Sequence, residues 1–253
     1  ILYDDVPYCG DLDTRRQMDL YVPTTANENT PAPVVLYVHG GGWKEGTFRN
    51  GIDHYYPQFL LAQGIAFATI DYRLAPGATY PSQDNDVNCA YSFIISHADH
   101  YGVRATNVGF FGDSAGGQLA AMEALTGEAR DNTAAVALLY AVTDLWYQIA
   151  EKHDTNASTY LAATDEETAK KASPLYAPLD TNAAFLPIHG ESDTIVAISN
   201  SQRFYNRLTA NDIDAQLVTI PGAGHGFGDN ADSKEQKEAE PYITRFFAEH
   251  LKP

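Results

Sequence analysis

Six short runs rich in β-branched and aromatic residues, each parted from the next by a longer, more polar stretch, constrain this chain more than any other feature. Residues 34–39, 65–71, 108–112, 135–142, 186–190 and 216–221 are apolar almost without interruption, as strands covered on both faces must be. The segments 52–63, 83–97, 115–125, 198–209 and 234–251 carry the periodicity of helices that cover a sheet. Strand and helix in alternation give an α/β chain with a doubly wound, mostly parallel sheet and helices on both faces. A further strand at 17–22 is expected to pair antiparallel at the sheet's edge.

Residues 144–179 break this rhythm. They hold acidic and polar residues, Pro174 and Pro178, and one short helical stretch at 166–171. They are expected to run over the carboxyl edge of the sheet as a cap-like excursion. Ligands of open α/β sheets bind at that edge, so the excursion is expected to shape a pocket, with Trp146 and Tyr147 as candidate substrate contacts. With 253 residues, 44% of them apolar, and no internal repeat, residues 1–253 read as a single domain.

Charge excludes several partners. Asp and Glu outnumber Lys and Arg by 33 to 16, a formal charge of −17, so the surface repels phosphate backbones and anionic lipid heads. Nucleic acid is not an expected partner. The longest uncharged apolar run, 133–142, is half of the roughly 20 residues that a membrane helix requires, and no membrane span is expected. Cys9 and Cys89 suit a single bridge or two inert thiols equally well. The compartment and the oligomeric state stay open, with a secreted or periplasmic setting favoured over the cytoplasm. No G-x-G-x-x-G or Walker loop is present, and no cofactor is expected. His97 with His100 lacks a third ligand, and neither Asp84-Asn85-Asp86 nor Asp229-Asn230-Ala231-Asp232 completes a calcium loop, so no metal is expected.

The chemistry concentrates in four places. Gly112-Asp113-Ser114-Ala115-Gly116 fits G-x-S-x-G and lies where the strand at 108–112 gives way to a helix, the context that turns a serine outward as a nucleophile. A nucleophilic serine needs a base and a group to orient that base, and on this kind of sheet they follow in the order acid, then histidine. His225, in the loop Gly224-His225-Gly226-Phe227 just past the strand at 216–221, is the expected base. His250 is the rival, explained well enough as a cation at a helix carboxyl end. Asp193, leaving the strand at 186–190, is the expected acid, with Glu191 as its neighbour and rival and helix capping as its other reading. His39-Gly40-Gly41-Gly42-Trp43 follows the strand at 34–39, and glycines there allow backbone N–H groups to converge on an oxyanion. Gly41, Gly42 and Ala115 are the expected donors, and Trp43 lines the pocket or donates as well. Gly117 stands where Ser-x-x-Lys chemistry would need its lysine.

Taken together, His39-Gly-Gly-Gly-Trp43, Asp71-Tyr-Arg-Leu-Ala-Pro76, Gly112-Asp-Ser-Ala-Gly-Gly117, His189-Gly-Glu-Ser-Asp193 and Gly224-His-Gly-Phe227 resemble the α/β-hydrolase esterases of the hormone-sensitive-lipase type. The likeness runs from about Met18 to the end. It implies the α/β-hydrolase fold, with the excursion after what in that fold is the sixth strand. It also implies a serine carboxylesterase with Ser114, Asp193 and His225 as its triad. Only 38 residues precede His39, where typical members carry a longer amino-terminal cap. In this the chain is more similar to compact acetyl and feruloyl esterases of plant hemicellulose, which implies a short acyl group on a small-molecule or polysaccharide alcohol such as acetylated xylan. A feruloyl esterase, an arylformamidase and a noncatalytic binding module on the same fold are the alternatives.

Overall fold

The computed structural model describes residues 1–10, 13–49, 56–228 and 233–251. Its strands are β1 (Leu2–Pro7), β2 (Gln17–Tyr21), β3 (Val34–Val38), β4 (Ala66–Ile70), β5 (Val108–Asp113), β6 (Thr133–Leu139), β7 (Ala184–Gly190) and β8 (Val218–Ile220). All eight join one sheet in the order β1-β2-β4-β3-β5-β6-β7-β8. The β1–β2 and β2–β4 pairs are antiparallel and the others parallel. Every residue of β3, β4 and β7 is buried, which is why their sequences read as unbroken apolar runs.

The helices are α1 (Tyr56–Ala62), α2 (Ser82–Ser96), α3 (Ala98–Tyr101), α4 (Ser114–Thr126), α5 (Leu145–Ala150), α6 (Thr155–Leu161), α7 (Glu166–Lys171), α8 (Ser199–Thr209) and α9 (Lys234–His250). One apolar cluster joins α2, α4 and α8 to the sheet, through residues such as Val87, Leu119 and Phe204. A second joins α1 and α9 through Tyr56, Leu60, Ile243 and Phe247. The sheet is thus covered on both faces, and α4, buried along 115–125, runs from the middle of it.

Several expectations need correction. The strand at 17–22 is not the edge: β1 lies outside it. Leu-Tyr-Asp-Asp-Val-Pro is mostly exposed, so no buried face forces an apolar pattern on it. The strand at 135–142 ends at Leu139, because Tyr140 takes φ +38° and leaves the sheet. Of the helix at 52–63, residues 52–55 lie outside the described residues, as does 229–232. The excursion at 144–179 holds three short helices rather than one. Each begins at an aspartate whose carboxylate caps the first turn: Asp144 accepts from Tyr147 N, Asp154 from Asn156 N and Ala157 N, and Asp165 from Thr168 N. Cys9 and Cys89 are bonded to each other, tying the segment after β1 to α2.

Glu123 carries the fold's clearest electrostatic cost. It lies in α4, 4% exposed; burial, with the charge of Asp84 adding to it, outweighs the Ala129 N–H bond and pushes its carboxyl up to about 7. The native protein therefore binds a proton that the unfolded chain releases at its ordinary carboxylate value. Stability falls as pH rises between the two values, and the cost is complete above 7. Glu123→Gln keeps an acceptor for Ala129 N without the charge. At pH 8 it is expected to raise stability by up to roughly 3 kcal/mol, or several degrees in thermal midpoint. At pH 4, below both values, the carboxyl is largely neutral in the folded and the unfolded chain, and the two proteins should melt together. An equal difference at both pH values would show that the buried charge is not the cause.

Candidate active site

Ser114 sits where β5 passes into α4, at φ +50°, a left-handed conformation that costs a serine energy and persists only where the surroundings impose it. The close approach of α4 to the end of β3 imposes it. A Cβ on Gly116 would collide with the carbonyl oxygens of Val38 and His39, so only glycine lets the first turn of α4 lie there. The turn points the Ser114 hydroxyl out of the sheet. Ser114 Oγ is 3.0 Å from His225 Nε2, and His225 Nδ1 is 2.7 Å from Asp193 Oδ2.

Asp193 leaves the end of β7 with its carboxylate buried. Oδ1 accepts from the backbone N–H of Ile195 and Val196, at 2.9 and 3.0 Å. Oδ2 faces both His225 Nδ1 and, at 3.2 Å, His189 Nε2. Burial alone would raise this carboxyl, but the hydrogen bonds from His189 and His225 outweigh it and hold the group well below the usual carboxylate range. Asp193 stays ionised. Asp193 does not cap α8, which begins at Ser199 after Ile198; its Oδ1 closes the turn at Ile195 and Val196 instead, and this contact and that with His225 are compatible, because each uses a different oxygen. Glu191 is turned away, accepting from Thr219 Oγ1 at 2.9 Å. His250 remains at the end of α9, bonded to Phe246 O and near Asp214.

The loop after β3 folds back on itself. Gly41 takes φ +101°, with Gly42 and Trp43 also positive at +57° and +59°, and Gly41 O accepts from both Lys44 N and Glu45 N. Successive positive φ values turn neighbouring amides toward one side. The N–H groups of Gly41, Gly42 and Ala115 bond to no acceptor among the described residues. Asp113, beside the serine, fixes this loop to the turn: its Oδ1 accepts from Gly40 N at 2.9 Å and from Tyr37 OH at 2.5 Å. Burial, then the nearby Asp113 charge, pushes the Tyr37 phenol up, so it remains a donor.

Ser114, Ala115, His225, Gly41, Gly42 and Trp43 line one cleft of about 360 Å³. Trp43 is among the residues that border it. The side chain is buried, donates Nε1–H to Gln118 Oε1 at 2.8 Å and stacks on Tyr160 at 4.7 Å, so its indole is not offered to a ligand. Trp146 and Tyr147 are not among the residues that line the cleft, and Trp146 packs against the core. Asp154 and Asn156, from the same excursion, do line it. Sequence reasoning passed over them, along with Tyr140, whose ring meets His225 edge-on at 4.7 Å, and the supporting roles of His189 and Asp113. A larger hollow of about 500 Å³ lies at the opposite, amino end of the strands, bounded by Pro31, Ile65, Phe247 and Leu251. Among the described residues its lining holds no Ser, Cys, His, Lys, Asp or Glu.

The sheet order, with Ser114 after the fifth strand, Asp193 after the seventh and His225 after the eighth, defines an α/β-hydrolase-fold protein. The chain belongs to the BD-FAE family, which it matches over residues 18–208. It is 30% identical over 248 residues to a protein named esterase LipC from Mycobacterium tuberculosis, covering 90% of this chain and 59% of that one. It is also 30% identical to an acetyl esterase from Salmonella schwarzengrund, covering 87% and 70%. Among solved structures, a truncated carbohydrate esterase from gut microbiota superposes with a TM-score of 0.80 at 22% identity, covering 99% of this chain and 96% of the other. The chain spans just over half the length of LipC.

Proposed function

We propose that the protein is a serine carboxylesterase acting on short acyl esters, acetyl groups on carbohydrate first among them. The observation that carries this reading is the unbroken chain from Ser114 Oγ through the His225 ring to the buried Asp193 carboxylate, opening into a cleft beside three unused amides. His225 Nε2 takes the Ser114 proton as Oγ attacks the ester carbonyl. The oxyanion settles among the N–H groups of Gly41, Gly42 and Ala115. His225 then passes its proton to the departing alcohol, leaving an acyl-serine. Water attacks that intermediate, giving its proton to His225, and the acid leaves as Ser114 recovers its proton.

The short acyl group is supported by the small cleft and by the likeness to an acetyl esterase. Glu45, Asp113 and Asp154 around the serine, in a chain of charge −17, favour neutral alcohols over anionic ones. Release of acetate from acetylated xylan, with p-nitrophenyl acetate as the control for a working serine, tests the reading. Acetate from both supports it. Hydrolysis of the small ester alone overturns the xylan assignment and points to feruloyl esters or formamides.

A further inference from the structure

We propose that Asn156 and Asp154 form a hydroxyl-binding subsite that selects polyhydroxylated alcohols over apolar ones. This deepens the esterase reading and rests on it. Both residues belong to the excursion after β6, are partly buried, and face the cleft that holds Ser114.

Their polar atoms are arranged as one donor and one acceptor. Asn156 Oδ1 accepts from Lys44 Nζ at 3.1 Å, which fixes the amide and leaves the Nδ2 hydrogens for other partners. Nδ2 occupies space over Gly42, where an added Cβ would come within 2.7 Å of it. The donor therefore lies beside the loop proposed to hold the oxyanion. Asp154 uses Oδ1 for the N–H groups of Asn156 and Ala157, while Oδ2 has no hydrogen-bond partner among the described residues. A sugar hydroxyl accepts and donates at once, so it can take a hydrogen from Asn156 Nδ2 and give its own to Asp154 Oδ2. The carboxylate strengthens that bond. An apolar alcohol covers the same two groups and satisfies neither, leaving a charge and an amide desolvated. Discrimination thus comes as much from the penalty on the wrong ester as from attraction to the right one.

The test compares two acetates with rings of similar size: a mono-O-acetylated methyl xyloside, which keeps free hydroxyls, and cyclohexyl acetate, which has none. Asn156→Asp preserves size and the Lys44 contact but replaces the donor with an acceptor; Asp154→Asn preserves the cap but replaces the free acceptor with a donor. Each is expected to lower the ratio of kcat/KM for the xyloside to that for cyclohexyl acetate at least tenfold, mainly through KM. Glu151→Ala, exposed on the same excursion and outside the cleft, should leave the ratio alone. A ratio that moves less than twofold in both cleft variants overturns the proposal. Equal losses on the two esters do so too, since they would assign the residues to the loop's architecture. A wild-type protein that hydrolyses no ester, p-nitrophenyl acetate included, would instead overturn the activity reading beneath it.

Discussion

Ser114→Ala is expected to lower turnover of p-nitrophenyl acetate by about 10⁶-fold, the scale of nucleophile loss in other serine hydrolases. Its thermal midpoint should stay within a few degrees of the parent's. The two expectations separate because they rest on different atoms. Alanine carries the same Cβ at φ +50°, so the strain of the turn is unchanged, and the packing of Gly116 against the end of β3 is untouched. What disappears is Oγ, bonded to the His225 ring at a site open to the cleft. The measurement is single-turnover acyl transfer beside a melting curve. A variant within tenfold of the parent would remove Ser114 from the chemistry, and a large drop in midpoint would make lost activity uninformative.

The parts of this molecule that were legible in its sequence are those where burial leaves little choice. The inner parallel strands are apolar because helices cover both faces, and the turn around Ser114 is marked because Gly116 alone fits against Val38 O. His225 and Asp193 could be placed because they follow strands that were themselves recognisable. The edge strand β1 was not legible: with exposed aspartates and a single short apolar face it has no pattern to show. The helices α5 and α6 were missed for another reason. Six or seven residues give too few turns for a periodicity, and the signal present, an aspartate capping each, marks turns and loops equally. The misplacement of Trp146 and Tyr147 follows from that. Without the helix, nothing in the sequence says which side of the excursion looks into the cleft, and aromatic residues serve a core as readily as a pocket. Asn156 and Asp154 face it instead, and their types alone do not distinguish a binding wall from a solvated one.

Asp193→Asn is the second large effect, expected to reduce kcat by about 10⁴-fold, the scale known for a misdirected histidine tautomer, with little change in KM. The geometry dictates how the amide must turn. Two backbone N–H groups, from Ile195 and Val196, point at Oδ1, so the amide's single oxygen has to occupy that place and its NH₂ must take the place of Oδ2. There it meets His225 Nδ1 at a distance of about 2.7 Å. To accept from it, the imidazole must carry its proton on Nε2, which then faces Ser114 Oγ as a donor and cannot take the serine's proton. His189 retains Val196 O, 2.9 Å from its Nε2, as its own acceptor, so the scaffold under the loop survives. Stability provides a second readout. The wild-type carboxyl is held below its ordinary range, so its ionised form stabilises the fold above the unfolded group's value, and that contribution fades as pH falls beneath it. The variant should therefore melt lower than the parent at pH 7, with the gap closing in strong acid. A tenfold or smaller loss of kcat would show that Asp193 does not orient the base. The exposed Glu191, already bonded to Thr219, is not placed to do so in its stead.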